Sequence, residues 1–488
     1  ITSSKKSFWI GVVSMKLKDF GFKSNKYVNG ITCDSRQVKK GYIFAALPGS
    51  NMDGRNFIDE AINKGAIAVL SYGQIDISVP YISNKEPRLI YAQMAGKFYS
   101  GQPENLVAIT GTNGKSSTAD FLRQIWSLYG EQAACFGTLG VVSKKTIIKL
   151  DHTTPDAVQL HSILSKLNDD GVTHVAMEAS SHGLDQRRLD SVVVKAAGFT
   201  NLTQDHYDYH QGSESYFKAK ERLFSELLKS NTAAVINTDD EYGVRLVKKC
   251  LDTGKNVMEI GWSGKDIRIE EIMPLASSQI IKVFVLGERY ELELPLVGEF
   301  QVLNAILALG LAIKTGVKKE AAIDLLKMLK GVPGRMELAG YGEGGSPIFV
   351  DFAHTEDGLE KLLRSLRPHT EGNLVVVFGC GGDRDNGKRI KMGKVAAKLA
   401  DRVIVTDDNP RTECSSAIRS AIIEGCPSAL EVPDRYNAIF KGIKGLKPKD
   451  CLVIAGKGHE QGQIIGEKTI PFSDIDQVKL ILEGLFHE

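Results

Sequence analysis

The chain has 488 residues, of which 42% are hydrophobic and 25% charged, and a formal net charge of +2. This length predicts about three domains at roughly 150 residues each. The near-neutral net charge gives no reason to expect nucleic acid or an anionic membrane as a partner. The seven cysteines form no C-x-x-C pair, which is typical of a reducing compartment, and no window approaches the roughly 18 apolar residues of a membrane span.

The first part of the chain reads as a small mixed α/β region. Near the N-terminus the apolar run Phe8–Met15 lies between lysines, which predicts the first turns of an amphipathic helix and not a signal peptide. Strand signals follow at Tyr42–Ala46 and Ala66–Leu70, separated by turn clusters rich in Gly, Pro, Asn and Asp. Gln102–Glu104 is predicted to be the hinge into the next domain.

The next segment is the most informative in the chain. An apolar strand signal, Leu106–Thr110, leads into a glycine turn, and a helical pattern follows over 118–129. In such a strand–loop–helix the backbone N–H groups and the helix N-terminus hold phosphates, a lysine neutralises their charge, and a serine hydroxyl can ligate Mg²⁺. The loop is shorter than the usual phosphate-binding loop, because Ile109 stands where the longer motif has its first glycine. The segment predicts binding of ATP or a similar nucleotide through Gly111, Thr112, Asn113, Gly114, Lys115, Ser116 and Ser117.

Strand signals alternate with helical patterns over much of the remaining chain, which predicts βαβ units and mostly parallel sheets. Residues 266–297 alternate with a period of two and predict an antiparallel insertion, and Gly331–Gly334 marks the next joint. Ligands of such sheets bind outside the carboxyl ends of the strands, so we expect the active site in a cleft between two successive α/β domains. The other strand signals are 173–178, 195–199, 233–237, 348–352, 374–378, 402–406 and 451–455.

Polar residues after the central strands supply candidates for metal and phosphate chemistry. Glu178 ends a strand, and its carboxylate is either a Mg²⁺ ligand or a solvated capping group. Asp205–His210 carries two histidines at i, i+4, for which contact with Mg²⁺, phosphate or substrate is favoured over zinc. Lys220 has the pattern of an ordinary helix-surface lysine.

The C-terminal strands end in residues suited to anionic and zwitterionic ligands. Arg335 stands at the joint, where its guanidinium can reach phosphates, and Asp351 and His354 follow a strand. Gly379–Asp385 predicts an anion-binding turn, with Arg384 as a fork for a carboxylate. The turn Asp408–Arg411 offers an acid and a base, a pair suited to an amino acid.

Taken in order, these segments resemble the Mur ligases, from about residue 31 to the C-terminus. The segments that carry the resemblance are Asp34–Arg36, Gly111–Ser117, Thr153–Pro155, Glu178–Gly183, Asp205–His210, Tyr216–Phe224, Pro333–Glu337, Asp351–His354, Gly379–Asp385, Asp408–Arg411 and Gly456–Glu460.

The resemblance implies an α/β fold of three domains. Residues 1–97 would form a mixed α/β domain for the UDP end of the substrate. Residues 98–335 would form a mostly parallel-sheet, P-loop ATPase domain. Residues 336–488 would form a Rossmann-like domain for the incoming amino acid.

The resemblance also assigns roles to residues. Lys115, Glu178, His206, Lys220 and Arg335 would be catalytic, with Mg²⁺ held by Ser116, Glu178 and a carbamylated Lys220 (N6-carboxylysine), which replaces the surface interpretation of that lysine. Asn304, Arg335 and Asp351 would join the phosphate loop in binding ATP. The UDP-muramoyl dipeptide would contact Cys33, Ser35, Ser50, Asn51, Met52, His152, Thr153, Thr154, Ser180, Gln186 and Arg188. His152 stands where asparagine is usual. The amino-acid pocket would comprise Arg384, Asp408, Asn409, Pro410, Arg411, Gly456 and Glu460.

The implied reaction is ATP-dependent addition of meso-2,6-diaminopimelate to the D-Glu γ-carboxylate of UDP-N-acetylmuramoyl-L-alanyl-D-glutamate, through an acyl phosphate, in cytoplasmic peptidoglycan precursor synthesis. The Asp-Asn-Pro-Arg turn favours this amino acid over lysine, because meso-diaminopimelate has a second carboxylate that the Arg411 guanidinium can grip. A lysine-adding ligase, a folylpolyglutamate-synthetase-like ligase and a non-ligase P-loop switch or kinase are the alternatives. A monomer is expected.

Overall fold

The computed structural model describes residues 14–49, 52–150, 152–203 and 207–486. Residues 8–13 of the predicted N-terminal helix lie outside this part of the chain, and Ser14 and Met15 are not helical. The chain divides into two compact units, Ile1–Glu259 with Gly310–Val317, and Ile260–Leu309 with Lys318–Glu488. In the part of the chain that the structure describes, no helix has the length and apolar character needed to cross a bilayer.

The first unit begins with a four-stranded parallel sheet. Its strands lie in the order β1-β2-β3-β4, and α2 packs against it through Tyr91, Ala95 and Phe98. The elements are β1 (Gly30–Thr32), β2 (Tyr42–Ala45), α1 (Ile58–Asn63), β3 (Ala66–Ser71), β4 (Tyr81–Ser83) and α2 (Pro87–Phe98).

The rest of the first unit is built on a larger sheet whose centre is parallel. Strands β11, β10, β5, β9 and β6 lie side by side and run parallel, and β7 and β8 extend the β6 edge antiparallel. The elements are β5 (Asn105–Thr110), α3 (Lys115–Tyr129), β6 (Ala133–Gly137), β7 (Gly140–Ser143), β8 (Ile147–Ile148), α4 (Ala157–Asp169), β9 (His174–Glu178), α5 (Ser181–Asp185), β10 (Ala196–Phe199), α6 (Tyr207–His210), α7 (Ser213–Arg222), β11 (Ala233–Asn237), α8 (Glu241–Asp252) and β12 (Asn256–Gly261).

The strand order explains where this unit can bind a ligand. β5 precedes β9 and β10 in the chain but lies between them, so its carboxyl end is flanked by the ends of both neighbours. Residues 106–109 of β5 are fully buried, as expected for a strand covered on both faces by helices. The loop after β5 therefore lies beside the residues that follow β9 and β10.

The second unit contains an antiparallel meander and a six-stranded sheet. β13, β14 and β15 pair antiparallel in sequence order, which confirms the predicted insertion at 266–297. The larger sheet has the order β16-β17-β21-β18-β19-β20, with only β16 antiparallel among the pairs of this sheet. A hairpin, β22–β23, stands apart from it.

The elements of the second unit have the following bounds; α9 crosses the division between the units, as β12 also does. They are β13 (Ile267–Pro274), β14 (Gln279–Val285), β15 (Glu288–Leu294), α9 (Glu299–Lys314), α10 (Lys319–Leu326), β16 (Glu337–Tyr341), β17 (Pro347–Asp351), α11 (Glu356–Leu366), β18 (Leu374–Phe378), α12 (Lys388–Leu399), β19 (Arg402–Val405), α13 (Ser415–Gly425), β20 (Leu430–Glu431), α14 (Arg435–Lys444), β21 (Cys451–Ala455), β22 (Gly462–Ile465), β23 (Lys468–Pro471) and α15 (Asp474–Phe486).

The α/β fold class and the strands predicted from the sequence are confirmed, each strand to within one residue at either end. In the second sheet β17, β21, β18 and β19 are buried strands covered by two apolar clusters. Their carboxyl ends carry Asp351, Gly456, Gly379 and Asp407, so these residues lie along one edge of the sheet.

Candidate active site

The loop predicted to bind phosphate lies at the carboxyl end of β5, directly before α3. Gly111 and Gly114 have φ values of +146° and +85°, a region that side chains rarely adopt. A Cβ on Gly111 would lie 1.8 Å from Thr200 Oγ1, so the shortened loop closes directly onto the residue after β10. α3 begins at Lys115 and points its N-terminal N–H groups toward the loop.

Residues after β10 hold the loop in shape. Thr112 N–H donates to Asn201 O at 2.8 Å, and Asn113 N–H donates to Asn201 Oδ1 at 3.1 Å. Thr112 Oγ1 also exchanges hydrogen bonds with the Thr203 backbone at 3.0 and 3.2 Å. Asn201 and Thr203 therefore brace the loop. His206 lies outside the described residues.

Lys115 folds over its own loop. Its Nζ donates to Gly111 O at 3.0 Å and to Thr112 O at 2.8 Å. These contacts keep the ammonium at the mouth of the loop, where a phosphate bound by the loop amides would meet it.

The surface interpretation of Lys220 is wrong. Only 1% of this residue is exposed, and its Nζ donates to Gly111 O at 2.6 Å and lies 4.3 Å from the centre of the Tyr216 ring. α7 buries this face together with Tyr216 and Phe217. The ammonium groups of Lys115 and Lys220 therefore share the Gly111 carbonyl as an acceptor, 109 residues from Lys220 in the sequence.

Glu178 is buried at the end of β9 and is held by several donors. Its carboxylate accepts hydrogen bonds from Ser116 Oγ at 2.8 Å, Thr138 N–H at 2.8 Å and Thr138 Oγ1 at 3.3 Å. A Cβ on Gly137 would lie 2.0 Å from Glu178 Oε1, so the carboxylate occupies the space that a side chain at 137 would need. The interpretation of Glu178 as a solvated residue is wrong.

The oxygen atoms of Ser116 and Glu178 form a donor set suited to a hard cation such as Mg²⁺. Over residues 14–49, 52–150, 152–203 and 207–486, no group of three His, Cys, Asp or Glu side chains is placed to hold a metal by itself. A cation at this point would take its remaining ligands from phosphate or water.

Threonine and serine hydroxyls connect Glu178 to the predicted dipeptide-binding segment. Thr154 Oγ1 donates to Glu178 O at 3.0 Å and accepts from Ser180 N–H at 3.1 Å. Thr153 Oγ1 lies 3.1 Å from Thr138 Oγ1, and Ser180 caps α5 by accepting from Gly183 N–H at 3.1 Å. His152 is exposed.

A cavity of about 320 Å³ lies between the first sheet and the second within this unit. Four predicted substrate residues line it: Cys33, Met52, Gln186 and Arg188. Arg188 donates to Thr154 O at 2.5 Å and to Gln186 Oε1 at 2.8 Å. Burial raises the pKa of the Cys33 thiol to about 11 and lowers the pKa of Arg188.

The sequence reasoning missed Arg88, Tyr91 and Asp156, which line the same cavity. Arg88 donates to Pro48 O at 2.5 Å, and Tyr91 donates to Asp156 Oδ1 at 3.0 Å. Ser35 is not among the lining residues, and its hydroxyl donates to Glu60 Oε2 at 2.9 Å. Ser50 and Asn51 lie outside the described residues.

In the second unit, the predicted ATP contacts Asp351, Arg335 and Asn304 each have defined neighbours. Asp351 accepts from Met336 N–H and Ala353 N–H, both at 2.8 Å, and burial raises its pKa. The Arg335 guanidinium lies 4.9 Å from the centre of the Phe352 ring. Asn304 is buried on α9 and donates to Gln301 Oε1 at 3.2 Å.

The predicted amino-acid pocket is assembled from three loops of the second unit. Gly382 N–H donates to Asn409 O at 2.9 Å, which joins the glycine loop to the 408–411 turn. Asn409 Nδ2 donates to Glu460 Oε2 at 2.9 Å, which joins the turn to the loop after β21. A Cβ on Gly456 would lie 2.7 Å from Asp408 Oδ2.

The charged residues of this pocket differ in exposure. Asp408 is 8% exposed, its Oδ2 has no hydrogen-bond partner among the described residues, and burial raises its pKa. Arg411 has a φ of +53° and donates from Nη1 to Gly382 O at 2.6 Å. Arg384 is exposed. The predicted residues are therefore brought together, with Arg384 at the solvent side.

The fold and site define a nucleotide-binding α/β protein with a second unit that carries a compact, charged pocket. Family models match three consecutive parts of the chain: Mur ligase family catalytic domain at 27–109, Mur ligase middle domain at 109–312, and Mur ligase glutamate ligase domain at 334–458.

Curated relatives align over nearly the whole chain. One from Brucella melitensis is 47% identical over 94% of this chain and 95% of its own length, and one from Caulobacter vibrioides is 45% identical over 95% and 97%. Both are named UDP-N-acetylmuramoyl-L-alanyl-D-glutamate–2,6-diaminopimelate ligase. The chain belongs to the Mur ligase family, which confirms the resemblance.

Solved structures agree. A structure with that same ligase name superposes with a TM-score of 0.76 at 31% identity, over 98% of this chain and all of the other. A folylpolyglutamate synthase from Thermotoga maritima has a TM-score of 0.60 at 17% identity, over 77% and 91%, and this likeness concerns the fold alone.

Proposed function

We propose that the chain is an ATP-dependent amide-bond ligase that adds 2,6-diaminopimelate to UDP-N-acetylmuramoyl-L-alanyl-D-glutamate. The observation that carries the proposal is the near-complete alignment with relatives of that name at 45–47% identity. The phosphate loop, the buried Glu178 and the charged second-unit pocket are the parts that such a reaction requires.

The chemistry follows from the poor electrophilicity of a carboxylate. An oxygen of the D-Glu γ-carboxylate attacks the γ-phosphorus of ATP, and ADP leaves with the bridging oxygen. The amine of diaminopimelate then attacks the acyl carbon, the bond to phosphate breaks, and the nitrogen loses a proton. Catalysis of phosphoryl transfer is mainly positioning and neutralisation of charge.

The residues of the first unit have distinct parts in this scheme. The loop amides and Lys115 hold the β- and γ-phosphates, and Lys115 is already anchored by Gly111 O and Thr112 O. Ser116 and Glu178 would hold Mg²⁺, which offsets phosphate charge when bound. Thr138 and Gly137 keep the Glu178 carboxylate in place.

We propose that Lys220 carries a carbamate. Its ammonium shares the Gly111 carbonyl with that of Lys115, and carbamylation would replace one of two neighbouring positive charges by a negative one. A carbamate oxygen at this buried position would supply a further hard ligand near the phosphate loop. The modification adds one CO₂ to the lysine, so labelling with ¹³C bicarbonate, observed by ¹³C NMR of the folded protein at neutral to alkaline pH, would detect it.

The cavity beside Arg188 is the proposed site for the UDP-muramoyl dipeptide. Arg88, Arg187 and Arg188 line it, together with Asp156, and guanidinium groups suit phosphate and carboxylate groups. Thr154 contacts both Arg188 and Glu178, so Thr154 is proposed, with Thr153 and Ser180, to guide the peptide toward the phosphate loop.

In the second unit, the proposed amino acid is the meso isomer. Asp408 with Glu460 suits ammonium groups, and Arg411 with Arg384 suits carboxylates. Arg411 uses Nη1 for Gly382 O and keeps other N–H donors of its five for a ligand carboxylate. Lysine, which lacks the second carboxylate, is the second candidate. Asn304, Arg335 and Asp351 are proposed ATP contacts.

The remaining expectations concern location and assembly. We propose a cytoplasmic reaction, since it consumes ATP and a nucleotide-linked precursor. The monomeric state stays a prediction.

An amino-acid panel in an ADP-release assay tests the function. ADP release should require both the UDP-muramoyl dipeptide and an amino acid, with meso-diaminopimelate preferred to lysine. Equal use of both amino acids would contradict the specificity, and nucleotide turnover with neither substrate would contradict the ligase.

A further inference from the structure

Lys457 lies in the loop after β21, between Gly456 and Glu460 of the amino-acid pocket, and it is fully buried. Its Nζ donates to Asn409 Oδ1 at 3.1 Å, Glu460 Oε2 at 3.0 Å and Gly462 O at 2.6 Å. An ammonium has three N–H donors, so these three acceptors use all of them. Lys457 therefore has no donor left for a ligand.

The contacts of Lys457 determine which way the Asn409 amide faces. Asn409 Oδ1 accepts from Lys457 and from Ile464 N–H at 2.9 Å, so the other end of the amide, Nδ2, is directed to Glu460. With two donors on Oδ1, the reversed amide would place N–H against N–H. The Glu460 side chain keeps 38% exposure, so it stays accessible to a ligand while Lys457 and Asn409 hold one of its oxygens.

Lys457 also ties the β22–β23 hairpin to the pocket. The bond to Gly462 O anchors the start of β22, and Arg411 N–H donates to Ile464 O at 3.1 Å in the same strand. Gln463 Nε2 donates to Asp408 O at 2.7 Å. The hairpin thus supports the backbone of the 408–411 turn, including the left-handed conformation of Arg411.

The positive charge of Lys457 also compensates negative charge in the pocket. Asp408 and Glu460 bring two carboxylates to the pocket, and a buried charge is tolerated only when it is paired and hydrogen-bonded. The fully buried ammonium of Lys457 offsets part of that negative charge. It does so without taking up the exposed part of the pocket, where Glu460 remains accessible.

We infer that Lys457 is a positioning residue for the incoming amino acid, acting through Asn409, Glu460 and the β22–β23 hairpin. This inference rests on the proposed function, because it assigns the pocket to the amino-acid substrate.

The test compares Lys457→Gln and Lys457→Arg with Lys449→Gln. Lys449 is an exposed lysine of the same unit whose partner is the exposed Glu371, so it controls for loss of a lysine. Steady-state ADP release gives KM for the amino acid, ATP and the UDP-muramoyl dipeptide, and thermal unfolding reports the fold.

Lys457→Gln is expected to raise KM for the amino acid about tenfold or more, with kcat within about threefold of wild type and the other two KM values within about twofold. Lys457→Arg should recover part of the loss, and Lys449→Gln should match wild type. Because Lys457 acts partly through Asn409, Lys457→Gln should raise KM for the amino acid by a smaller factor in the Asn409→Ala background than in the wild type.

Three results would overturn the inference. The first is an unchanged KM for the amino acid in Lys457→Gln. The second is a rise in that KM in the double variant equal to the product of the two single-variant rises. The third is loss of binding of all three substrates together with loss of the folded state in both Lys457 variants. If the wild type releases no ADP with any amino acid, the proposed function itself fails. If the wild type releases ADP and Lys457→Gln leaves the KM for the amino acid unchanged, only the positioning role fails.

Discussion

Gly137→Ala is expected to disable the enzyme although it adds only one methyl group. The new Cβ would lie 2.0 Å from Glu178 Oε1, 2.4 Å from Cδ and 2.5 Å from Cγ. The carboxylate would have to retreat by at least about 1 Å to reach a tolerable contact. At Oε1 that shift would break the bonds from Ser116 Oγ and Thr138 N–H, both 2.8 Å.

The magnitude follows from those two bonds. A hydrogen bond to a charged group contributes about 1.5–3 kcal/mol, and loss of both would displace the proposed Mg²⁺ ligand as well. An overall loss of about 3 kcal/mol in transition-state stabilisation lowers kcat/KM by roughly 100-fold. The overpacking itself should destabilise the first unit by about 1–3 kcal/mol.

The assay is ADP release at saturating dipeptide and amino acid, titrated with Mg²⁺. Gly484→Ala is the matched control, since nothing lies within 4 Å of a Cβ there and the residue is exposed in α15. A Gly137→Ala enzyme with wild-type kcat and an unchanged Mg²⁺ requirement would refute the argument that the packed position of Glu178 matters for catalysis.

Three further predictions test other parts of the molecule. Lys115→Ala should lower the rate of ADP release about 100-fold or more by removing phosphate charge neutralisation, while calorimetric affinity for the UDP-muramoyl dipeptide stays within about twofold; unchanged turnover would exclude the role. Arg411→Ala should raise KM for meso-diaminopimelate about tenfold or more, since an arginine–carboxylate bond contributes ~1.5–3 kcal/mol, and an equal rise for lysine would contradict recognition of the second carboxylate. Burial lowers the pKa of His161 from 6.5 to about 4, so the unfolded chain takes up the proton first and stability falls as the pH drops from 7 to 5, by about 2 kcal/mol. Urea unfolding of His161→Leu should lose that dependence, whereas His152→Leu, at an exposed position, should keep it; a wild-type pH dependence in His161→Leu would show that another group is responsible.

Much of the fold could be predicted because its signals are local. The strands Leu374–Phe378 and Cys451–Ala455 are short apolar runs that end in polar or glycine-rich residues, and their bounds were predicted to the residue. Parallel sheets bury both faces of their strands, so short continuous apolar runs of this kind can be recognised as strands from the sequence. The assignment of ligand residues to strand ends followed from the same pattern.

The residues that sequence reasoning missed act through distant partners. Thr138 and Gly137 matter because Glu178, which is 40 residues after Thr138 in the chain, lies against them. Lys457 was overlooked because its acceptor Asn409 is 48 residues away. Only a strand order that is not the sequence order brings such pairs together.

Lys220 shows most clearly what residue type and spacing cannot predict. From residue types and spacing, the sequence by itself determined the alternation of strands and helices and the phosphate loop, and its resemblance to the Mur ligases indicated the family. Whether a lysine on α7 faces water or the Gly111 carbonyl depends on how that helix is placed against the loop after β5. The resemblance already implied a metal-ligand role for Lys220, and the tertiary structure showed its burial, which depends on the neighbours that the fold supplies and not on the residue type.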